Sequence, residues 1–192
     1  MFKVSVESVG DFYQHYPKVA AIITVNAGGK KNAMAAAWHS AVSFEPPLYG
    51  VSIAPKRFTY QLIAQSKAFG VNFVPFEVVE LVASVGGSDG KEVDKFGKFG
   101  IAEEQPLKTS VPILRDAYTA YECELLDSRT YGDHVWVVGE IVAVHFAQDV
   151  LTAKGTLDLD KLKPALYLGG ELYATADSRS VRFLDRRTYG RR

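Results

Sequence analysis

The segment SIAPKRFT (52–59) brings Ser52, Lys56, Arg57 and Thr59 to the junction between a strand-like run and the start of a helix. Helix N-termini expose unpaired N–H groups and a positive dipole end, which suits a phosphate. Arginine adds a two-pronged donor, and serine and threonine hydroxyls add neutral ones. A solvated surface turn would use the same residues. Upstream, NAMAAAW (32–38) is a run of small side chains closed by an indole. Ala35, Ala36 and Ala37 would let a planar, hydrogen-bonding ring lie against the main chain, with Trp38 walling one side. Tight sheet packing or a subunit contact would also favour small residues there. GGSDGKEVDKF (86–96) is a second anion candidate, because successive glycines can form a nest of N–H groups and Lys91 could reach its contents. It lacks the Walker spacing, and no GxGxxG fingerprint occurs.

Other chemistries have little support. The four histidines are scattered without metal-ligand spacing, so no metal site is expected. The single cysteine, Cys123, lies in a strand-like run and reads as a buried, inert thiol. No GxSxG elbow is present. His134, in YGDH at a hairpin turn, is placed to project over a neighbouring site.

These groups need a scaffold. VAAIITVNA (19–27) is apolar and β-prone, and the turn GGKKN leads into AMAAAWHSAVSF as its hairpin partner, ended by Pro46-Pro47. LYGVSIA (48–54) is a strand, followed by a short helix with Thr59 as N-cap and Phe58 and Leu62 one turn apart. AFGVNFV (68–74) returns to strand. Val78, Leu81, Val82 and Val85 fall at helical spacing before Gly86, and Asp89 with Glu92 has the form of a capping box. In 116–127, Ala117, Thr119, Tyr121, Cys123 and Leu125 alternate against a more polar face, and 134–146 is a long strand apolar on both sides. The two form a hairpin. The pattern predicts a mainly β protein, an antiparallel, Greek-key-like barrel with short helical insertions, in one domain over 1–192.

The chain of 192 residues has zero formal charge and no basic block, which argues against nucleic-acid binding. Its N-terminus lacks a signal-type apolar core, and no run is long enough to span a bilayer, so a cytoplasmic location is expected.

NAMAAAWHSAVSFEPPLYGVSIAPKRFTYQLI (32–63), FGVNF (69–73), GKEVDKF (90–96), YGDHVWVVGEI (131–141) and LYLGGELY (166–173), in this order, resemble the flavin-reductase-like family of FMN-binding split barrels. The resemblance covers about residues 18 to 175. It implies an FMN split barrel that forms an intertwined homodimer with its sites at the interface. Ala35, Ala36, Ala37 and Trp38 would face the flavin. Ser52, Arg57 and Thr59, with Lys56, would bind its phosphate, and Lys91 and Asp94 would belong to a covering loop. Where many members carry Thr and Ser, this chain has Ala35 and Ala37, so ring contacts fall to backbone groups. The implied activity is an NAD(P)H-dependent oxidoreductase that reduces free flavin, a ferric chelate or a partner protein. No side chain need act as acid or base, since the cofactor carries the chemistry; His134 would contact the NADH or NADPH. An FMN-binding electron carrier without NAD(P)H activity is the alternative.

Overall fold

The computed structural model describes residues 1–190; the last two of the expected domain lie outside the described residues. Twelve strands run in chain order: β1 (Lys18–Val19), β2 (Ala21–Ala27), β3 (Lys30–Ala36), β4 (His39–Phe44), β5 (Pro47–Ile53), β6 (Ala68–Phe73), β7 (Glu103–Glu104), β8 (Ile113–Leu114), β9 (Thr119–Tyr131), β10 (His134–Phe146), β11 (Leu166–Gly169) and β12 (Leu172–Ala174). The helices are α1 (Phe58–Ser66), α2 (Val79–Gly86), α3 (Lys95–Phe99) and α4 (Arg186–Tyr189).

Seven strands form one antiparallel sheet in the order β3-β2-β6-β9-β10-β5-β4. Its two edge strands, β3 and β4, are consecutive in the chain and joined through Ala37 and Trp38, so the curled sheet meets itself without a ladder between its edges. This is the split of a split barrel. The expected single strand AMAAAWHSAVSF is therefore two strands. The Trp38 carbonyl accepts from Ser52 N at 2.8 Å, which pins the break against the end of β5.

β2 is buried along nearly its whole length because both its faces are covered. Ile23 and Val25 point into the barrel with Val51, Ile53, Phe69, Val71 and Val137, where Leu62 and Ile63 of α1 join them. Ile22 and Ala20 point outward against Val82 and Val85 of α2 and Phe96 of α3. Continuous apolar character is what such a strand requires.

Two local expectations are corrected. Arg57, in extended conformation, occupies the N-cap position of α1, while Thr59 lies inside the helix and its hydroxyl accepts from Asn32 Nδ2 at 2.8 Å. Asp89 does not cap a helix with Glu92: its carboxylate accepts from Lys91 N, and Asp94 caps α3 by accepting from Gly97 N at 3.2 Å. The polar face of 116–127 is not solvated at its centre. Glu122 is fully buried, as is Cys123 beside it.

The loop before β8 folds over Glu122 and explains that burial. Leu107 N, Lys108 N (2.9 Å), Thr109 N (2.7 Å) and Thr109 Oγ1 (2.8 Å) all donate to its carboxylate, and His145 Nε2 lies 2.7 Å away. Burial pushes the Glu122 carboxyl up, but the His145 bond and the three backbone donors outweigh it and hold it at about 2.

Candidate cofactor-binding cleft

The cleft opens where the barrel is split. A cavity of about 700 Å³ is floored by Met34 to Trp38 and faced by Ser52 to Arg57, with Asp133 and His134 at the β9–β10 turn. This volume lies in the range that holds a drug-sized ligand, about 300–1,000 Å³. At Met34, Ala35, Lys56 and Arg57 it joins a pocket of about 290 Å³, which adds Asn32, Thr59, Ser88, Gly90 and Lys95. A third recess of about 430 Å³ runs from Ala35–Ala37 toward α2 and Tyr173.

The smaller pocket has the chemistry of a phosphate site. Arg57, the N-cap of α1, lines it together with Phe58 and Thr59 of the first turn, where a helix has free N–H groups. Lys95 forms part of its wall. The residue is only 3% exposed, and its Nζ donates to Ala33 O at 2.8 Å and Val85 O at 2.6 Å, which uses two of its three protons. Burial lowers the Lys95 pKa, Asp89 partly restores it, and Arg57 lowers it further. An anion in the pocket would relieve both unfavourable influences. Gly90 is required by close approach: a Cβ there would come within 2.2 Å of the Asn32 side chain.

Packing also explains part of the alanine run. A Cβ on Gly86, at the end of α2, would sit 3.1 Å from the Ala35 Cβ, so a larger side chain at 35 would push α2 off the sheet as well as narrow the cleft.

The other end of the cleft is aromatic. Trp38 Nε1 donates to Tyr16 Oη at 2.7 Å, and its ring lies 5.0 Å from His134 and 5.6 Å from Phe12. His134 Nδ1 donates to Asp133 Oδ1 at 2.8 Å, which fixes the proton on that nitrogen because the carboxylate only accepts. The same bond holds the Asp133 carboxyl below its usual range. His39, next in sequence to Trp38, is structural: its ring bridges Tyr49 Oη (2.7 Å) and Val19 O (2.8 Å), and burial lowers its pKa against the pull of that carbonyl.

Of the residues singled out in the sequence, Ala35, Ala36, Ala37, Trp38, Ser52, Lys56, Arg57 and His134 line the large cavity, and Thr59 lines the small one. Lys91 and Asp94 are not brought to either. They line a separate concavity with Lys30, Lys31 and Glu103, and the Asp94 carboxylate caps α3. Sequence reasoning missed Lys95, one position beyond Asp94, and the tyrosines of DFYQHYP. For Lys95 the available signal was its place beside Phe96 on the inner side of a short helix.

The opening of this split barrel joins a slot floored by Met34 to Trp38 to a pocket lined by Lys56, Arg57, Asp89 and Lys95, which leaves room for a planar ring and offers donors to an anionic group. The chain belongs to the Flavin reductase like domain family, whose profile matches residues 13–176. That makes it a flavin-related oxidoreductase or electron carrier of mainly antiparallel split-barrel architecture. It is similar to an uncharacterised protein of Aeropyrum pernix, 32% identical over 80% of this chain, a match that spans only 58% of that longer protein. Among solved structures it resembles the FMN-binding protein from Thermus thermophilus with bound 1-cyclohex-2-enone, at 36% identity and a TM-score of 0.85, covering 95% of this chain and 99% of that one. A structure of the FMN-binding protein from Thermus thermophilus with bound p-hydroxybenzaldehyde matches at 37% identity, a TM-score of 0.84 and the same coverage. Flavoredoxin from Methanosarcina acetivorans follows at 28% identity and 0.81, covering 96% of each chain. No helix among the described residues is long and apolar enough to cross a membrane.

Proposed function

We propose that this chain, as one domain, is an FMN-dependent NAD(P)H oxidoreductase. The observation that carries the reading is the continuity of the small cationic pocket with the alanine-floored slot through Met34 and Ala35. Arg57, Lys95 and the N-terminus of α1, helped by Ser52, Lys56 and Thr59, would hold the FMN phosphate. Ala35, Ala36 and Ala37 would lie under the ring, with Trp38 at its side. Bound FMN would supply the two-electron chemistry, while the chain orients the ring and shields it from water. His134 would meet the NADH or NADPH. Acceptors include free flavin, a ferric chelate or a partner protein, and the ligands of the two Thermus structures add small conjugated carbonyl compounds to that range.

A homodimer completes the reading. Val42 and Phe44 on β4, and Leu126, Val144 and Phe146 on β9 and β10, are large apolar residues left exposed in the single chain. Apolar exposure of this extent suits a subunit contact, and cyclic dimers are the commonest oligomers.

The purified protein is expected to be yellow and to release FMN, not FAD, on denaturation. Anaerobic NADPH or NADH should bleach its visible bands. A colourless protein that ignores added FMN would remove the cofactor from the reading. Arg57→Ala is expected to weaken FMN binding about ten- to a hundredfold, the loss of a charge-assisted hydrogen bond of about 1.5–3 kcal/mol, with riboflavin affinity nearly unchanged. Calorimetric titration with both ligands checks this, and equal losses would place Arg57 elsewhere.

The electron-carrier alternative has one observation in its favour. Asp11 and Asp133 both line the open end of the cleft, where a polyanionic dinucleotide would have to enter. A flavin-loaded protein that NADPH and NADH leave oxidised, but dithionite bleaches, would establish this second reading.

A further inference from the structure

Beyond the slot for a flavin ring, the large cavity is also lined by Tyr13 and Tyr16, which the cofactor reading does not use. Tyr13 and Tyr16, from the segment preceding β1, line it opposite His134, and Trp38 lies between Tyr16 and His134. The polar groups of this box are unequally used. The Tyr16 oxygen accepts from the Trp38 indole, while its own O–H donates to nothing among the described residues. A phenol that already accepts a hydrogen bond is polarised toward donating its proton. The charges near this end offset one another, Asp11 and Asp133 against Lys56, which lies close enough to Asp133 to help hold its carboxyl down, so no net charge on a ligand is called for.

We propose that this aromatic box is a binding subsite for a neutral conjugated ring that carries a carbonyl oxygen, which accepts a hydrogen bond from the Tyr16 hydroxyl while the ring packs on Trp38. An aldehyde or enone acceptor presents that chemistry, and so does the carboxamide of a nicotinamide ring. Tyr16 is thus a specificity-determining residue. The subsite adjoins the proposed FMN slot and gives the acceptor class of the reading above a place, so it rests on that reading for its role but not for its existence.

The chain has two tryptophans, Trp38 and Trp136, and therefore two indole N–H signals in a proton–nitrogen spectrum. Benzaldehyde, nicotinamide and toluene are titrated separately into wild type and Tyr16→Phe, each FMN-loaded and FMN-free, and affinities are read from the Trp38 signal. It is assigned by its loss in Trp38→Phe. Benzaldehyde is expected to shift Trp38 and not Trp136, and to bind about three- to tenfold more weakly to Tyr16→Phe, the loss of one neutral hydrogen bond. Toluene affinity should not change. A parallel loss for nicotinamide assigns the box to both carbonyl sources, and a loss for benzaldehyde alone assigns it to the acceptor. Equal benzaldehyde affinities in the two proteins, or an equal loss for toluene, would overturn the donor role of Tyr16. A response at Trp136 alone would overturn the location. Failure of FMN to bind would overturn the cofactor reading while leaving the FMN-free titrations intact.

Discussion

Lys95→Met is expected to lower FMN affinity at pH 7 by one to two orders of magnitude while riboflavin affinity stays within about twofold. The side chains match closely in length, so what is removed is the charge and the single proton left over from the Ala33 and Val85 carbonyls. A charge-assisted hydrogen bond to phosphate is worth about 1.5–3 kcal/mol, or roughly ten- to a hundredfold. The variant also leaves two buried carbonyls without their donor, so it should melt lower, by a cost on the order of 1–3 kcal/mol per orphaned group. The pH dependence separates the two effects. In the free protein the Lys95 pKa is lowered by burial, and a bound phosphate would raise it again. Wild type should therefore lose FMN affinity as pH climbs through the free-state pKa, where binding must take up a proton. Lys95→Met should show no such loss. Titrations with both ligands at neutral and alkaline pH decide it, and a parallel decline for riboflavin would place Lys95 outside the phosphate site.

Glu122→Gln should destabilise the fold by about 3 kcal/mol without touching the cleft. The neutral amide turns an N–H toward donors that all expect an acceptor, and breaking one side of a buried charged cluster costs about 3–5 kcal/mol. The titration gives a similar size. A carboxyl held at about 2, against 4.5 when exposed, contributes about 3 kcal/mol at neutral pH. Because the folded-state pKa is the lower one, this stabilisation is complete above about pH 4.5 and is lost as pH falls toward 2. Thermal melts at pH 7 should show the variant about 6–12 °C below wild type, with the gap closing on acidification through that window. A gap that persists undiminished at pH 2 would mean that the variant disturbs packing and not the charge.

The contrast between these two residues explains what the sequence made legible. Ser52, Arg57 and the alanine run were visible because strand-to-helix junctions and runs of small side chains are local patterns. Lys91 and Lys95 lie four positions apart in GKEVDKF, and composition alone does not tell which one turns inward; that depends on Asp94 starting α3 where it does and on Phe96 docking under β2. Thr59 was misread as a cap because hydroxyls favour that position. Here Asn32, 27 residues away, supplies its partner inside the helix. Glu122 carried no signal at all. Strand alternation assigns it to solvent, and only the arrival of residues 107–109, brought by a long loop, makes it interior. The same holds for Tyr16, whose contact with Trp38 bridges 22 positions.

The break at Ala37 and Trp38 has a consequence for solubility. β3 and β4 are sheet edges, and each directs every second peptide group away from its only neighbour. Open edges recruit other strands, and natural proteins cover or interrupt them. Here Phe12 and Tyr16 of the N-terminal segment pack on Trp38, and the proposed flavin would cover the alanines. If the proposed flavin binds there, cofactor depletion and aggregation would be coupled: an empty cleft would leave the edge of β3 as a template on which another chain can add a strand.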